Sequence, residues 1–95
     1  MFIANLTYIK NLSEVEYHLD SHISFLDKFY KSGHFIVSGR KVPRTGGIIL
    51  INAKNQNELE SIISQDPFYQ HQIANYDIIE FIPSNYSKSF SEVLK

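Results

Sequence analysis

The sequence contains no cysteine, which excludes disulfides, thiol catalysis and cysteine-ligated zinc or iron–sulfur sites. It also lacks an excess of either charge: the net charge is −1, whereas general binding to nucleic acid requires a basic surface. No apolar run approaches the ~20 residues that span a bilayer, and no basic residue precedes the apolar residues at the N-terminus. From these absences we expect a cytoplasmic protein that binds neither nucleic acid nor a membrane.

Aromatic residues, by contrast, are plentiful, with 6 Tyr and 7 Phe among 95 residues. A chain of this length forms one domain, and so small a domain buries only about 60–65% of its unfolded surface. Aromatic side chains supply core area, and an excess of them favours an apolar face that a ligand or a second subunit covers. We therefore expect one domain over residues 1–83 and a short Ser-rich extension over residues 84–95.

Hydrophobic periodicity predicts the element order β-α-β-β-α-β, which is typical of ferredoxin-like α+β folds. In such a fold a four-stranded antiparallel sheet carries both main helices on one face. Capping boxes at Ser13 with Glu16 and at Asn55 with Glu58 mark the two helix starts, and Gly33 marks the end of the first helix. The predicted strands cover residues 2–9, 34–39, 48–51 and 76–82.

The third predicted strand, residues 48–51, reads Ile-Ile-Leu-Ile without polar alternation. Such a run is typical of a central strand that is buried on both faces. Because two helices can cover only one face of the sheet, the other face needs an apolar partner. The simplest partner is a second copy packed sheet to sheet, so we expect a homodimer.

Counting about 100° per residue from Val15, His22 falls near −20°, Leu26 near +20° and Leu19 near +40°, so His22 lies in the middle of the apolar stripe of the first helix. A half-buried imidazole needs a hydrogen-bond partner. One interpretation is a core histidine that bonds to a backbone carbonyl. The other is a general acid/base held in a pocket.

Asp66 precedes Pro67, a pattern that predicts a helix cap followed by proline in the first turn. The alternative is a carboxylate that orients His22, fixes its tautomer and stabilises its charged form. Capping does not exclude that second role. Local sequence patterns do not bring the two residues together.

Two further sets of residues have weaker signals. His18 and His22 have the i, i+4 spacing of a metal-chelating pair but lack a clear third ligand, so we expect neither a metal nor an organic cofactor. Arg40, Lys41 and Arg44 lie beside Gly46-Gly47, where they form either an anion-binding loop or a solvated hairpin. Ser38 is a separate case. No G-x-S-x-G motif, the pattern of a nucleophile elbow, surrounds it, which argues against a hydrolase triad.

Several strings taken together resemble the YCII-related family up to about residue 83. They are the helical His22, Ser38-Gly39, the run Val-Pro-Arg-Thr-Gly-Gly over residues 42–47, Asp-Pro-Phe over residues 66–68, and the final strand from Tyr76. The resemblance implies a dimeric α+β barrel, in which two four-stranded sheets pack face to face. It also implies a pocket with a His–Asp catalytic pair at His22 and Asp66, and with Ser38 and Arg44 nearby as substrate-binding residues. A similar protein eliminates HCl in chloroaromatic breakdown.

These signals favour a small-molecule enzyme that performs proton abstraction with elimination or isomerisation. In this hypothesis His22 transfers a proton, Asp66 orients it, and Arg44 holds an anionic group of the substrate. One alternative is an accessory module that binds a metabolite without turnover. Another, by analogy of fold alone, is a cofactor-free oxygenase.

Overall fold

The computed structural model describes residues 1–94, which form one antiparallel sheet, four α-helices and a terminal 3₁₀ helix. The strands are β1 (Phe2–Tyr8), β2 (Phe35–Arg40), β3 (Gly46–Ile51) and β4 (Ala74–Glu80). The helices are α1 (Leu12–Tyr17), α2 (Leu19–Lys31), α3 (Gln56–Ile63) and α4 (Pro67–Gln70), and the 3₁₀ helix is Ser89–Leu94. Lys95, the last residue of the predicted extension, lies outside the described residues.

The strands pair in the order β2-β3-β1-β4, and each neighbouring pair is antiparallel. With the helices inserted between β1 and β2 and between β3 and β4, this order confirms the predicted ferredoxin-like α+β fold. Within residues 1–94, no helix has both the length and the apolar character needed to cross a bilayer.

The core lies between the helices and one face of the sheet. Along β1 the buried residues alternate, with Phe2, Ala4 and Leu6 on the helix side, as the period of a half-buried strand requires. Phe25 and Phe29 of α2 pack against this face with edge-to-face ring geometry between them. The helix face of the sheet therefore forms the inner boundary of any pocket beneath α2.

The first helix begins earlier than predicted and is interrupted. Asn11, rather than Ser13, is the N-cap, since its Oδ1 accepts the Glu14 N–H at 3.1 Å and the Ser13 hydroxyl at 2.7 Å. Asparagine and serine cap helices about equally well, so the capping-box pattern selected the wrong one of two nearby candidates. His18, with φ −98° and ψ 2°, then separates α1 from α2.

The other predicted helix boundaries agree more closely with the structure. Asn55 caps α3 by accepting the Glu58 N–H at 2.9 Å, although the Glu58 carboxylate accepts from Lys54 N–H rather than from Asn55. Asp66 caps α4, with Pro67 in its first turn. Gly33 follows α2 at a φ of 86°, a left-handed conformation that suits glycine.

The face of the sheet that points away from the helices is called here the open face. Its apolar residues are Ile3 of β1, Val37 of β2, Ile48 and Leu50 of β3, and Ile79 of β4. Ile79 is 54% exposed and Ile48 is 38% exposed, so this chain alone does not bury both faces of β3. Whether a second copy covers the open face stays a prediction.

The C-terminal extension packs beside the end of β3. Asn52 Nδ2 donates to the Val93 carbonyl at 3.2 Å, and Phe90 is partly buried. The part of the extension that makes this contact is the 3₁₀ helix Ser89–Leu94.

Candidate functional site

The two residues that sequence patterns could not bring together are in contact. His22 Nδ1 lies 2.8 Å from Asp66 Oδ1, although 44 residues separate them in the chain. The His22 side chain is 12% exposed and that of Asp66 is 0% exposed. The contact joins the second turn of α2 to the cap of α4, so the packing of these two helices determines it.

Three donors surround the buried carboxylate of Asp66. Oδ1 accepts the Phe68 N–H at 2.9 Å in addition to the His22 ring, and Oδ2 accepts the Tyr76 hydroxyl. A buried carboxylate requires such partners, because an unpaired charge away from water is costly. Asp66 thus caps α4 and also contacts His22, while its role in orienting that histidine stays a prediction.

This arrangement defines the hydrogen-bonding roles of the His22 ring. An ionised carboxylate only accepts hydrogen bonds, so Nδ1 must carry the proton in the 2.8 Å contact. In the neutral imidazole, Nε2 then has a free lone pair. No group among residues 1–94 hydrogen-bonds to Nε2, which leaves this nitrogen available to a ligand.

The orientation of the His22 ring is also held by stacking. Its plane lies 4° from that of Phe68, with ring centroids 4.0 Å apart. Phe68 is itself buried in the core. In the segment Asp66-Pro67-Phe68, Asp66 caps α4, Pro67 is its first residue and Phe68 supplies the stacking ring. Asp66 and Phe68 both contact His22 directly.

His22 lines a cavity of about 180 Å³ between α2 and the helix face of the sheet. Its walls are mostly apolar, and its polar side chains include His22, Ser38 and Arg40; the full set is Leu6, Tyr8, Leu19, His22, Ile23, Leu26, Ser38, Gly39, Arg40, Gly46, Gly47, Ile48, Ile49 and Phe68. An apolar protein cavity of about 150 Å³ holds benzene. The space beside His22 therefore suits a molecule of roughly one ring.

Ser38, which the family resemblance puts near the pocket, lines the cavity, and its role in binding substrate stays a prediction. Its Oγ is 2.5 Å from the Tyr30 hydroxyl, which ties this part of β2 to the end of α2. The register places Ser38 opposite Ile49 and Arg40 opposite Gly47, so both side chains belong to the helix face of the sheet.

Arg44 is not among the residues that line the cavity. Its guanidinium Nη1 lies 3.6 Å from Glu16 Oε1, at the end of α1. Arg40, from the same basic segment, lines the cavity instead and forms no ion pair with any residue of the described chain. The strand register distinguishes the two arginines, because Arg40 follows Ser38 by two positions and shares its face.

The histidine pair at i, i+4 does not converge on one point. The ring of His18 stacks on His71, with centroids 4.3 Å apart, while His22 Nδ1 is bonded to Asp66. Over residues 1–94 there is no cluster of three or more His, Cys, Asp or Glu side chains arranged to hold a metal. The absence of a metal or organic cofactor stays a prediction.

Gly46 has a packing role that its position in a basic loop did not indicate. A Cβ at this position would lie 1.7 Å from the Leu6 carbonyl oxygen, so only glycine permits the close approach of β3 to β1 here. Gly46 and Leu6 both line the cavity. Gly46 therefore shapes the cavity by allowing β3 to pack closely against β1.

Tyr76 is the residue of the site that sequence reasoning missed. It pairs with Leu6 in the register between β4 and β1, so its side chain lies on the helix face. The signal was present in the predicted last strand, because a tyrosine on an inward-facing position usually finds a hydrogen-bond partner for its hydroxyl.

Comparison with known proteins agrees with this architecture. Residues 1–82 match the YCII-related domain. No curated protein sequence matches the chain. Among solved structures, the chain is similar to 5-chloro-2-hydroxyhydroquinone dehydrochlorinase (TftG) from Burkholderia phenoliruptrix in complex with 2,5-dihydroxybenzoquinone, with a TM-score of 0.71 and 15% identity over 86% of this chain and 94% of that one. At that identity the similarity shows a common fold.

Proposed function

Because this chain belongs to the YCII-related domain family, we propose that it is a small-molecule catalyst in which His22 is the general acid/base. The observation that carries the proposal is the 2.8 Å bond from His22 Nδ1 to the buried Asp66, made by a ring that lines a ring-sized cavity. A histidine held in this way has a defined tautomer and a reactive nitrogen on its other side. The similarity of fold to a dehydrochlorinase supports proton transfer as the reaction class.

In the proposed step, Nε2 of His22 accepts a proton from an acidic C–H or O–H bond of the substrate. The electron pair of that bond forms a double bond within the substrate. In an elimination, the leaving group departs with the electron pair of its own bond; in an isomerisation, the proton returns to a different atom. Asp66 stabilises the imidazolium that His22 becomes, because the opposite charges are in contact.

The cavity also supports a substrate class. Apolar side chains would contact the body of a small planar molecule, and the hydroxyl of Ser38 would bond to an oxygen atom. Arg40 is our candidate for the partner of an anionic group, since it lines the cavity and lacks a carboxylate partner within residues 1–94. Arg44, which the family resemblance favours for that role, is paired with Glu16 in this chain.

The same proposal includes a homodimer formed through the open face. Ile48 and Ile79 leave apolar surface on this face. Asn5, at its centre, has an enclosed Oδ1 with no hydrogen-bond partner among residues 1–94. A second copy packed sheet to sheet would cover the isoleucines.

The test uses two kinds of probe. One is 5-chloro-2-hydroxyhydroquinone, with released chloride as the readout; the other is a panel of small phenols and carbonyl acids in deuterated water, with C–H exchange followed by NMR. The wild-type protein should turn over or exchange at least one probe. His22→Gln should reduce that rate by about 10²–10⁴-fold, the usual contribution of a general acid/base.

The matched control is His18→Gln, one turn earlier in the chain. His18 stacks on His71 outside the cavity lining, so its replacement should leave the rate unchanged. Equal rates in wild type and His22→Gln would contradict the proposal. Tight binding of 2,5-dihydroxybenzoquinone with no turnover or exchange of any probe would indicate the metabolite-binding module instead.

A further inference from the structure

The carboxylate of Asp66 has a third partner besides His22 and the backbone of α4. The hydroxyl of Tyr76 donates to Oδ2, the oxygen that neither His22 nor the Phe68 N–H uses. Tyr76 belongs to β4, which pairs with β1 over seven residues, from Phe2 to Tyr8. The hydroxyl therefore reaches the pair from the sheet, while both members of the pair lie on helices.

We propose that Tyr76 is a positioning residue: its hydroxyl holds the Asp66 carboxylate so that His22 keeps its proton on Nδ1 and presents an unprotonated Nε2 to the cavity. The inference rests on the proposed function, in which Nε2 accepts the substrate proton. It adds that Tyr76, through Asp66, determines the tautomer of His22.

The Asp66 carboxylate can hold His22 in one tautomer only if its rotation is restricted. A carboxylate can rotate about its Cβ–Cγ bond and exchange its two oxygens. The Phe68 N–H bonds to Oδ1, which is also the atom that accepts from His22, so this donor alone leaves Oδ2 without a partner. Asp66 is fully enclosed, and a buried oxygen without a donor is costly. The Tyr76 hydroxyl satisfies Oδ2 and, as a second point of attachment, holds the carboxylate plane.

The orientation of the carboxylate in turn decides the tautomer of His22. A neutral imidazole carries its proton on one nitrogen, and the hydrogen bond made by that nitrogen determines which one. Oδ1 in its observed orientation favours the proton on Nδ1. A rotated carboxylate would weaken this bond and allow the other tautomer, in which Nε2 carries the proton and cannot accept another.

Tyr76 acts as a donor and keeps its own proton. Burial and the neighbouring Asp66 carboxylate raise the pKa of Tyr76 well above its usual value. The phenol therefore stays protonated over the whole range in which an imidazole titrates. This separates a positioning role from a catalytic one, because the hydroxyl neither lines the cavity nor releases a proton.

The chain offers a matched control next to Tyr76. The ring of Tyr69 packs edge to face on that of Tyr76, with centroids 5.5 Å apart. The Tyr69 hydroxyl makes no hydrogen bond to any residue of the described part of the chain. Tyr69→Phe thus removes a hydroxyl from the same ring cluster without touching Asp66.

The experiment records ¹⁵N-edited NMR spectra of the His22 ring at a pH where the ring is neutral. The wild type and Tyr69→Phe should show a single tautomer with the proton on Nδ1. Tyr76→Phe should lose this pattern and show a mixture of both tautomers. A single Nδ1–H tautomer in Tyr76→Phe would overturn the inference.

Two further results keep the inference separate from the proposed function. If the wild type itself lacks the Nδ1–H tautomer, the His22–Asp66 arrangement and the proposed function both fail; if only the Tyr76→Phe result differs from expectation, the inference alone fails. Should Tyr76→Phe not fold, a ring-fluorinated tyrosine at this position, a stronger donor, should shift the Nδ1–H proton resonance. An unchanged resonance would then contradict the inference.

Discussion

The imidazole of His22 lies almost parallel to the ring of Phe68, with planes 4° apart and centroids separated by 4.0 Å. Phe68 follows Asp66 by two residues, and its backbone N–H bonds to the same oxygen that accepts from His22. One short segment at the start of α4 therefore provides the hydrogen bond and the stacking contact of the histidine. Substitutions at Asp66 and Phe68 separate these two contributions.

Replacing Asp66 by Asn should remove the charge while keeping the shape of the side chain. We expect the ring Nδ1–H resonance of His22 to move upfield, because a neutral amide oxygen is a weaker acceptor than a carboxylate. The free energy of unfolding should fall by roughly 1–3 kcal/mol, the cost of a disturbed buried network. NMR and urea denaturation measure the two effects. Asp27→Asn, at an exposed position of α2 away from the open face, is the control and should change neither. A resonance at the same chemical shift in Asp66→Asn and wild type would mean that the two side chains do not communicate.

Replacing Phe68 by Leu should remove the stacking surface but keep most of the buried volume. Phe29→Leu, in the same core, is the matched variant, because the Phe29 ring packs on Phe25, His34 and Phe35 rather than on His22. Both should lower stability by about 1–2 kcal/mol. Only Phe68→Leu should broaden or shift the His22 ring signals. Equal spectral changes in the two variants would show that the stacking contact does not hold the ring.

The raised pKa of Tyr76 predicts a loss of stability at alkaline pH. The unfolded tyrosine releases its proton above about pH 10, whereas the folded one retains it, so its stabilisation is complete below that value and falls as pH rises. The slope from this one group is about 1.4 kcal/mol per pH unit. Urea denaturation across this range should show a shallower decline for Tyr76→Phe than for wild type. Tyr17→Phe, at an exposed residue of α1, should decline like wild type.

The open face predicts a homodimer of twice the chain mass in sedimentation equilibrium at micromolar concentration. Ile79→Lys would place a charge in the proposed interface and should produce a monomer, because an unpaired buried charge is costly. Leu12→Lys, at an exposed apolar residue of α1, is the control and should remain dimeric. A monomeric wild type would contradict the proposed interface.

Two glycines at the cavity should differ sharply in their tolerance of alanine. At Gly46 the new Cβ would meet the Leu6 carbonyl oxygen at 1.7 Å, so the strands must separate and the cost should exceed about 3 kcal/mol. At Gly39 nothing lies within 4 Å of the new Cβ, and the change should stay within about 0.5 kcal/mol. Thermal and urea denaturation of both variants provide the comparison. Similar stabilities of the two variants would show that β1 and β3 are not in close contact at Gly46.

Sequence patterns alone predicted the element order, the half-buried position of His22 on its helix and the cap at Asp66. These features depend on the spacing of apolar side chains along an element and on hydrogen bonds between residues that are close in sequence. The local sequence is therefore enough to predict them. Where two local signals competed, the prediction failed: Asn11 and Ser13 are both good caps, and only the folded backbone distinguishes them.

The functional geometry depended on contacts between distant segments. The bond between His22 and Asp66 spans 44 residues, and the hydroxyl of Tyr76 reaches the same carboxylate from another strand. Family resemblance could name the first two residues, but neither period nor spacing could place the third. The choice of Arg40 over Arg44 for the cavity likewise followed from the register of β2 against β3. Local sequence determines which face of an element a side chain occupies, whereas the docking of helices on the sheet and the strand register determine which side chains meet.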